Sequence, residues 1–253
     1  MGNVIACNIA SYGRYREGAF AHMRSLGIEN VEIPVPAPEA VAGVLQELGQ
    51  HGLKVTSVLG RFDLKNPDCV ETLKPQAETA RRLGAQVIFL SVKAGDLPLE
   101  TAYNLLRAAG DVAAAQGLAI AIETHPDLAH NGTVALATVQ GVSHPSVGIN
   151  FDTGNIYYYN EGTDAVTELR KIARHVKSVH LKDSRGGFKT FDFPPLGQGV
   201  VDYPEVFRVL NAHGFHGPFT MELEGSAGVT LSQAQQYAMV ADSFAYLKRI
   251  GVV

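Results

Sequence analysis

Apolar residues gather along this chain in short, β-branched runs, and between the runs they recur at helical spacing. The runs are VIACNIA (4–10), VEIPV (31–35), KVTSVLG (54–60), QVIFLSV (86–92), AIAIE (119–123), VGINFD (147–152), VKSVHLK (176–182) and FTMELE (219–224). They return roughly every 25 to 40 residues, each followed by a loop and a helical stretch, which is the βα rhythm of a parallel sheet. The segment EAVAGVLQELGQHG closes on Gly52, and PDCVETLKPQAETARRLG opens on Pro67-Asp68 and closes on Gly84. A proline near the start and a glycine past the end are ordinary helix punctuation. Pro75, inside the third helical stretch, is expected to kink or divide it.

Eight strand–helix units with no composition shift or Gly/Ser linker predict a single domain over residues 1–253, a closed (β/α)8 barrel rather than an open doubly wound sheet. The turn after the first strand, ASYGRYREG, matches neither G-x-G-x-x-G nor a P-loop, so no nucleotide cofactor is expected. With 253 residues and 46% hydrophobic content the chain can bury a large core. Its 21 Lys+Arg and 25 Asp+Glu give a net charge of -4, without a basic cluster of the kind a phosphate backbone needs, so nucleic acid is not an expected partner. Cys7 and Cys69 lack C-x-x-C spacing, which argues against a disulfide framework or a thiolate zinc site. The opening MGNVIACNIASYGR has no basic leader before a long apolar stretch, and no run approaches the roughly 18 residues of a membrane span. The expectation is a cytoplasmic protein with no membrane partner.

In a barrel the active face is built by the C-terminal ends of the strands. Strand five ends in Glu123, strand six in Asp152, strand seven carries His180 and strand eight Glu222. Each alone has an ordinary structural reading: an ion pair or cap for Glu123, an N-cap for Asp152, a core position for His180, a pair with Lys182 for Glu222. Together, on four neighbouring strands, three carboxylates and an imidazole suit a divalent ion, Mn²⁺ first, then Co²⁺ or Mg²⁺, with Zn²⁺ less favoured. A shared cation offsets the repulsion among buried carboxylates.

The motifs IETHP, FDTGN, VHLKD and PLGQGVVDYPEVFRVLNAHGFHGPFTMELEG resemble the xylose isomerase-like TIM barrel family of sugar phosphate isomerases and epimerases, which includes ketose 3-epimerases and inosose dehydratases. In that family a G-[YF]-x-G precedes the strand-eight metal Glu by five residues; Gly214-Phe215-His216-Gly217 places that role on Glu222, not Glu224. The resemblance gives the same four ligands and implies that Glu123 and Glu222 also move the proton. It further implies substrate contacts from Glu32 at the end of strand two. His125 from the strand-five loop and the Lys182/Arg185 pair are expected to bind substrate hydroxyls or a phosphate. Relatives with D-T-x-H on strand six have a His where this chain has Asn155, whose amide can position a hydroxyl but cannot act as acid or base. The same departure weakens a resemblance to endonuclease IV.

The function this implies is a metal-dependent isomerase or epimerase of a sugar or keto-sugar. A lyase acting on a keto-sugar or inosose and a non-catalytic sugar-binding barrel are the alternatives. Tyr12 and Tyr15 are expected to wall a sugar face. NIYYYNEG is expected to form a lid or a dimer contact, and the apolar positions of TLSQAQQYAMVADSFAYLKRI point to a homo-oligomer.

Overall fold

The structure, a computed structural model, describes residues 2–253. Eight parallel strands close a barrel: β1 (Ile5–Asn8), β2 (Asn30–Pro34), β3 (Lys54–Leu59), β4 (Val87–Leu90), β5 (Ala119–Glu123), β6 (Val147–Asp152), β7 (Val176–Leu181) and β8 (Phe219–Met221). Closure is through β1, where Cys7 pairs with Val31 of β2 and with Met221 of β8. All eight predicted strands are present. The helices around them are α1 (Ala19–Leu26), α2 (Val41–Gln50), α3 (Cys69–Leu83), α4 (Leu99–Ala115), α5 (Gly132–Val142), α6 (Thr153–Tyr159), α7 (Ala165–Ile172), α8 (Tyr203–Ala212) and α9 (Gln233–Arg249). Two helices follow β6 where the rhythm predicts one.

Strand alternation sorts the side chains into two layers. Ile5, Cys7, Ile149, Phe151, Val179 and Leu181 face the helices and belong to the main core. The alternate positions of the same strands, among them Asn8, Asn150, Asp152, Ser178 and His180, are polar and buried. They bond one another between neighbouring strands, as in Ser178 Oγ to its register partner Asn150 Oδ1 at 2.9 Å. Apolar packing outside the sheet therefore supports a polar lumen inside it. A small separate cluster of Val87, Phe89 and Ala121 fills the lumen beside β4 and β5.

Two expectations are corrected here. Helix α3 runs unbroken through Pro75, which lies on the exposed face. The carbonyl it leaves unpaired belongs to exposed Glu71 and can be satisfied by water. In α9, Met239, Val240, Phe244 and Leu247 are buried, so these apolar positions cover the barrel and are not free for a contact between subunits. No helix among the described residues is long and apolar enough to cross a membrane.

Candidate metal centre

Strand register assembles the site. Asp152 is the partner of His180 across β6 and β7, and Glu123 ends β5 next to Asn150 of β6. Glu222 directly follows β8, with its amide bonded to the Leu181 carbonyl at 3.1 Å. One potential ligand atom from each of Glu123, Asp152, His180 and Glu222 lies within 4.8 Å of the others. From His180 Nδ1 it is 3.2 Å to Glu222 Oε2, 3.5 Å to Glu123 Oε1 and 3.9 Å to Asp152 Oδ2.

The other oxygen of each carboxylate is fixed elsewhere. Asp152 Oδ1 accepts from the amides of Gly154 and Asn155, both at 2.9 Å, capping α6. Glu123 Oε2 meets His125 Nδ1 at 3.0 Å, and Glu222 Oε1 accepts from Asn8 Nδ2 at 3.4 Å. Asp152 Oδ2, Glu222 Oε2 and His180 Nδ1 are buried without an aligned hydrogen-bond partner. Buried polar atoms seldom stay unpaired, and three converging lone pairs on carboxylates and imidazole form a donor set for a divalent cation. The residues fit such an ion.

Glu32 does not line the cavity. It is wholly buried in β2 below the cavity, and its Oε1 lies 2.9 Å from His180 Nε2. It also accepts from Asn8 Nδ2 at 2.9 Å and Ser57 Oγ at 2.5 Å, neighbours in register on β1 and β3. A carboxylate on one imidazole nitrogen turns the other toward the ligand point, the usual means of orienting a metal-binding histidine.

Charge is balanced inside the cluster. Burial opposes the Glu123 charge, but hydrogen bonds from His125 and His180 prevail and take its carboxyl down to about 2. Burial likewise opposes Glu222, and His180 and Lys182 hold it well below the usual carboxylate range. Burial carries Asp152 up to about 6, with Lys182 pulling against it and Glu222 adding to it. His180 is raised well above an ordinary histidine because Glu222 and Glu32 outweigh its burial.

Above the cluster opens a cavity of about 430 Å³. Phe89, Tyr158, Tyr159, Phe191 and Phe193 wall one part of it, and Asn8, Arg16, Ser91, His125 and Asn155 supply polar edges. His125 and Asn155 are where the sequence places them, at the mouth: His125 Nδ1 also lies 3.0 Å from Ser91 Oγ, and Asn155 Nδ2 donates to the Thr124 carbonyl at 3.2 Å. The tyrosines of NIYYYNEG line the site through Tyr158 and Tyr159.

Four of the expected contact residues are held differently. Lys182 lines the cavity but is only 3% exposed, its ammonium held 2.8 Å from Asp152 Oδ2 and 2.7 Å from both Glu222 Oε2 and Glu224 Oε2. Arg185 is exposed and lies outside the cavity, with Nη1 donating to the Gln198 carbonyl at 2.6 Å. Tyr12 is fully buried against His22 and Tyr237, and Tyr15 Oη bonds the Leu231 carbonyl, so neither walls the cavity. Phe89, Phe191, Phe193, Arg16 and Glu224 take part without having been singled out. Phe193 and Asp192 are held there by a two-residue antiparallel ribbon with Gly225–Ser226, too short to leave a strand pattern in the sequence.

Fold and cluster together define a (β/α)8 barrel with an acidic, imidazole-bearing pocket at the C-terminal ends of its strands. The chain belongs to the xylose isomerase-like TIM barrel family, whose model matches residues 20–250. It is 28% identical over 231 residues to a ketose 3-epimerase of Arthrobacter globiformis, covering 81% of this chain and 76% of that protein. It is 24% identical over 265 residues to an inosose dehydratase of Geobacillus thermodenitrificans, covering 90% and 88%. A xylose isomerase domain protein from Planctomyces limnophilus shares the fold, with a TM-score of 0.80 at 22% identity over 99% of this chain and 98% of the other.

Proposed function

We propose that the protein is a divalent-metal-dependent isomerase or epimerase of a sugar or keto-sugar, with Glu123, Asp152, His180 and Glu222 as ligands. The observation that carries this reading is the convergence of two glutamates from β5 and from the end of β8 on the His180 ring, beneath a cavity with polar and aromatic walls. A bound ion, Mn²⁺ first among the choices, supplies positive charge for the oxygen that becomes negative when a C–H beside a carbonyl is deprotonated.

The chain's own groups do the rest. Glu123 and Glu222 are the acid/base pair: one takes the proton, and the other delivers a proton drawn from water to the far face, which inverts the carbon. Return to the neighbouring carbon by one carboxylate isomerises instead. His125, bonded to Glu123 Oε2, positions that carboxylate and presents a ring edge to the cavity. Asn155 orients a hydroxyl, and the aromatic wall takes the apolar face of the sugar and limits water.

Similarity to the inosose dehydratase over most of the chain supports a second reading, in which the same deprotonation is followed by loss of a β-hydroxyl. Incubation of the Mn²⁺-loaded protein with a panel of keto-sugars in D₂O distinguishes the two by NMR. Epimerisation or isomerisation gives deuterium at the exchanged carbon of an intact sugar, whereas dehydration gives an enone or diketone absorbing in the ultraviolet. Glu222→Gln should fold and lose about 10²- to 10⁴-fold in turnover; full activity in that variant would refute the assignment.

A further inference from the structure

Lys182 places a cation against the oxygens that the metal reading assigns to an ion. Its ammonium is 2.8 Å from Asp152 Oδ2 and 2.7 Å from Glu222 Oε2, two of the three converging atoms without an aligned hydrogen bond. Its third carboxylate is of another kind. Glu224 Oε2 is also 2.7 Å away, but that side chain is 41% exposed and does not belong to the converging set. The lysine stem is confined: a Cβ at Gly154 would stand 2.7 Å from Lys182 Cγ, and the Phe193 ring centroid is 5.3 Å from the ammonium.

We propose that Lys182 is a resident counter-ion of the acidic cluster, competing with a divalent metal for Asp152 and Glu222, and that Glu224 retains the ammonium when a metal takes those oxygens. This rests on the metal reading above and extends it to the control of metal affinity. Two cations sharing two buried oxygens repel strongly at such range. The lysine therefore stabilises the carboxylates on its own and weakens the hold on metal, which keeps the ion exchangeable. Glu224 limits that repulsion by offering the ammonium a carboxylate on the side of the mouth.

The test is Mn²⁺ titration calorimetry on chelator-stripped wild type, Lys182→Met, Lys182→Arg and Glu224→Gln, with thermal melts with and without Mn²⁺. Lys182→Met should bind Mn²⁺ at least about tenfold more tightly than wild type. Its stripped form should melt lower than wild type, and Mn²⁺ should remove most of the difference. Glu224→Gln should bind Mn²⁺ a few-fold more weakly, and Lys182→Arg, which keeps the charge, should show no gain in affinity. Equal or weaker binding by Lys182→Met, or a melting deficit unchanged by Mn²⁺, overturns the proposal and leaves a packing role. If Lys182→Met does not fold, Glu224→Gln decides: binding as tight as wild type overturns it. A wild type that binds Mn²⁺ while the variants show no such differences removes this inference alone, whereas a wild type that binds no divalent ion removes the metal reading with it.

Discussion

His180 has both ring nitrogens committed, Nε2 to Glu32 at 2.9 Å and Nδ1 to the point shared by three carboxylates. Removing Glu32 tests the first commitment. Glu32→Ala leaves buried donors on His180, Asn8 and Ser57 without their acceptor, a cost of about 1–3 kcal/mol that a denaturant melt would show. With the ring no longer oriented, Mn²⁺ affinity should fall about 10- to 100-fold; an unchanged affinity would make Glu32 a packing residue only. The second commitment gives a pH dependence. The carboxylates around it raise its folded-state pKa, so in the metal-free protein a proton competes with a metal for the ring. Higher pH removes the competing proton, so Mn²⁺ affinity should rise with pH and binding should release protons in weakly buffered solution. Binding that is flat with pH and releases no protons would contradict His180 as a ligand through Nδ1.

At the scale of elements, the passage from β6 into α6 does several jobs in four residues. Asp152 caps the helix with one oxygen and turns the other into the lumen, Thr153 Oγ1 donates to the Lys182 carbonyl at 2.8 Å, and Gly154 makes room for the Lys182 stem. Gly154→Ala would press on Lys182 Cγ and, at 3.0 Å, on the Lys182 carbonyl oxygen. A loss of about 1–3 kcal/mol in a melt is expected, with a change in Mn²⁺ affinity as the ammonium shifts; wild-type values for both would show that the stem is free to move. The strands themselves were legible because β-branched runs between glycine-closed helices have few other interpretations, and their charged ends pointed to one mouth. What the sequence could not show was depth. Glu32 and Glu123 both read as carboxylates on strands, yet one lies under the imidazole and the other beside the cavity, a difference set by stagger around the barrel and by the register shift between Val31 and Glu32. Loop residues were least legible: Tyr12 turned into the core, Arg185 turned away, and Phe191 and Phe193 entered by way of the short ribbon.

At the scale of the whole molecule, the barrel sheet is buried on both faces, with different chemistry on each. Its outer surface packs on the helices through an apolar layer, while polar side chains, beside the small apolar cluster of β4 and β5, line the lumen and rise to the acidic cluster. The rigid sheet thereby holds groups that would repel one another if free, and strands β5 to β8 each bring one of them to the same place. Membership of the family fixes this scaffold, but its relatives include both a ketose 3-epimerase and an inosose dehydratase, so under the proposed function the fate of a deprotonated sugar depends on the cavity of this chain. In the proposed function this scaffold holds a divalent ion. The most direct measurement is equilibrium binding of Mn²⁺ to chelator-stripped wild type and His180→Ala, with metal content determined by elemental analysis. Close to one ion per wild-type chain and loss of that ion in the variant are expected; a wild type that binds none, or a variant that binds as well, would rule out a metal centre built on His180.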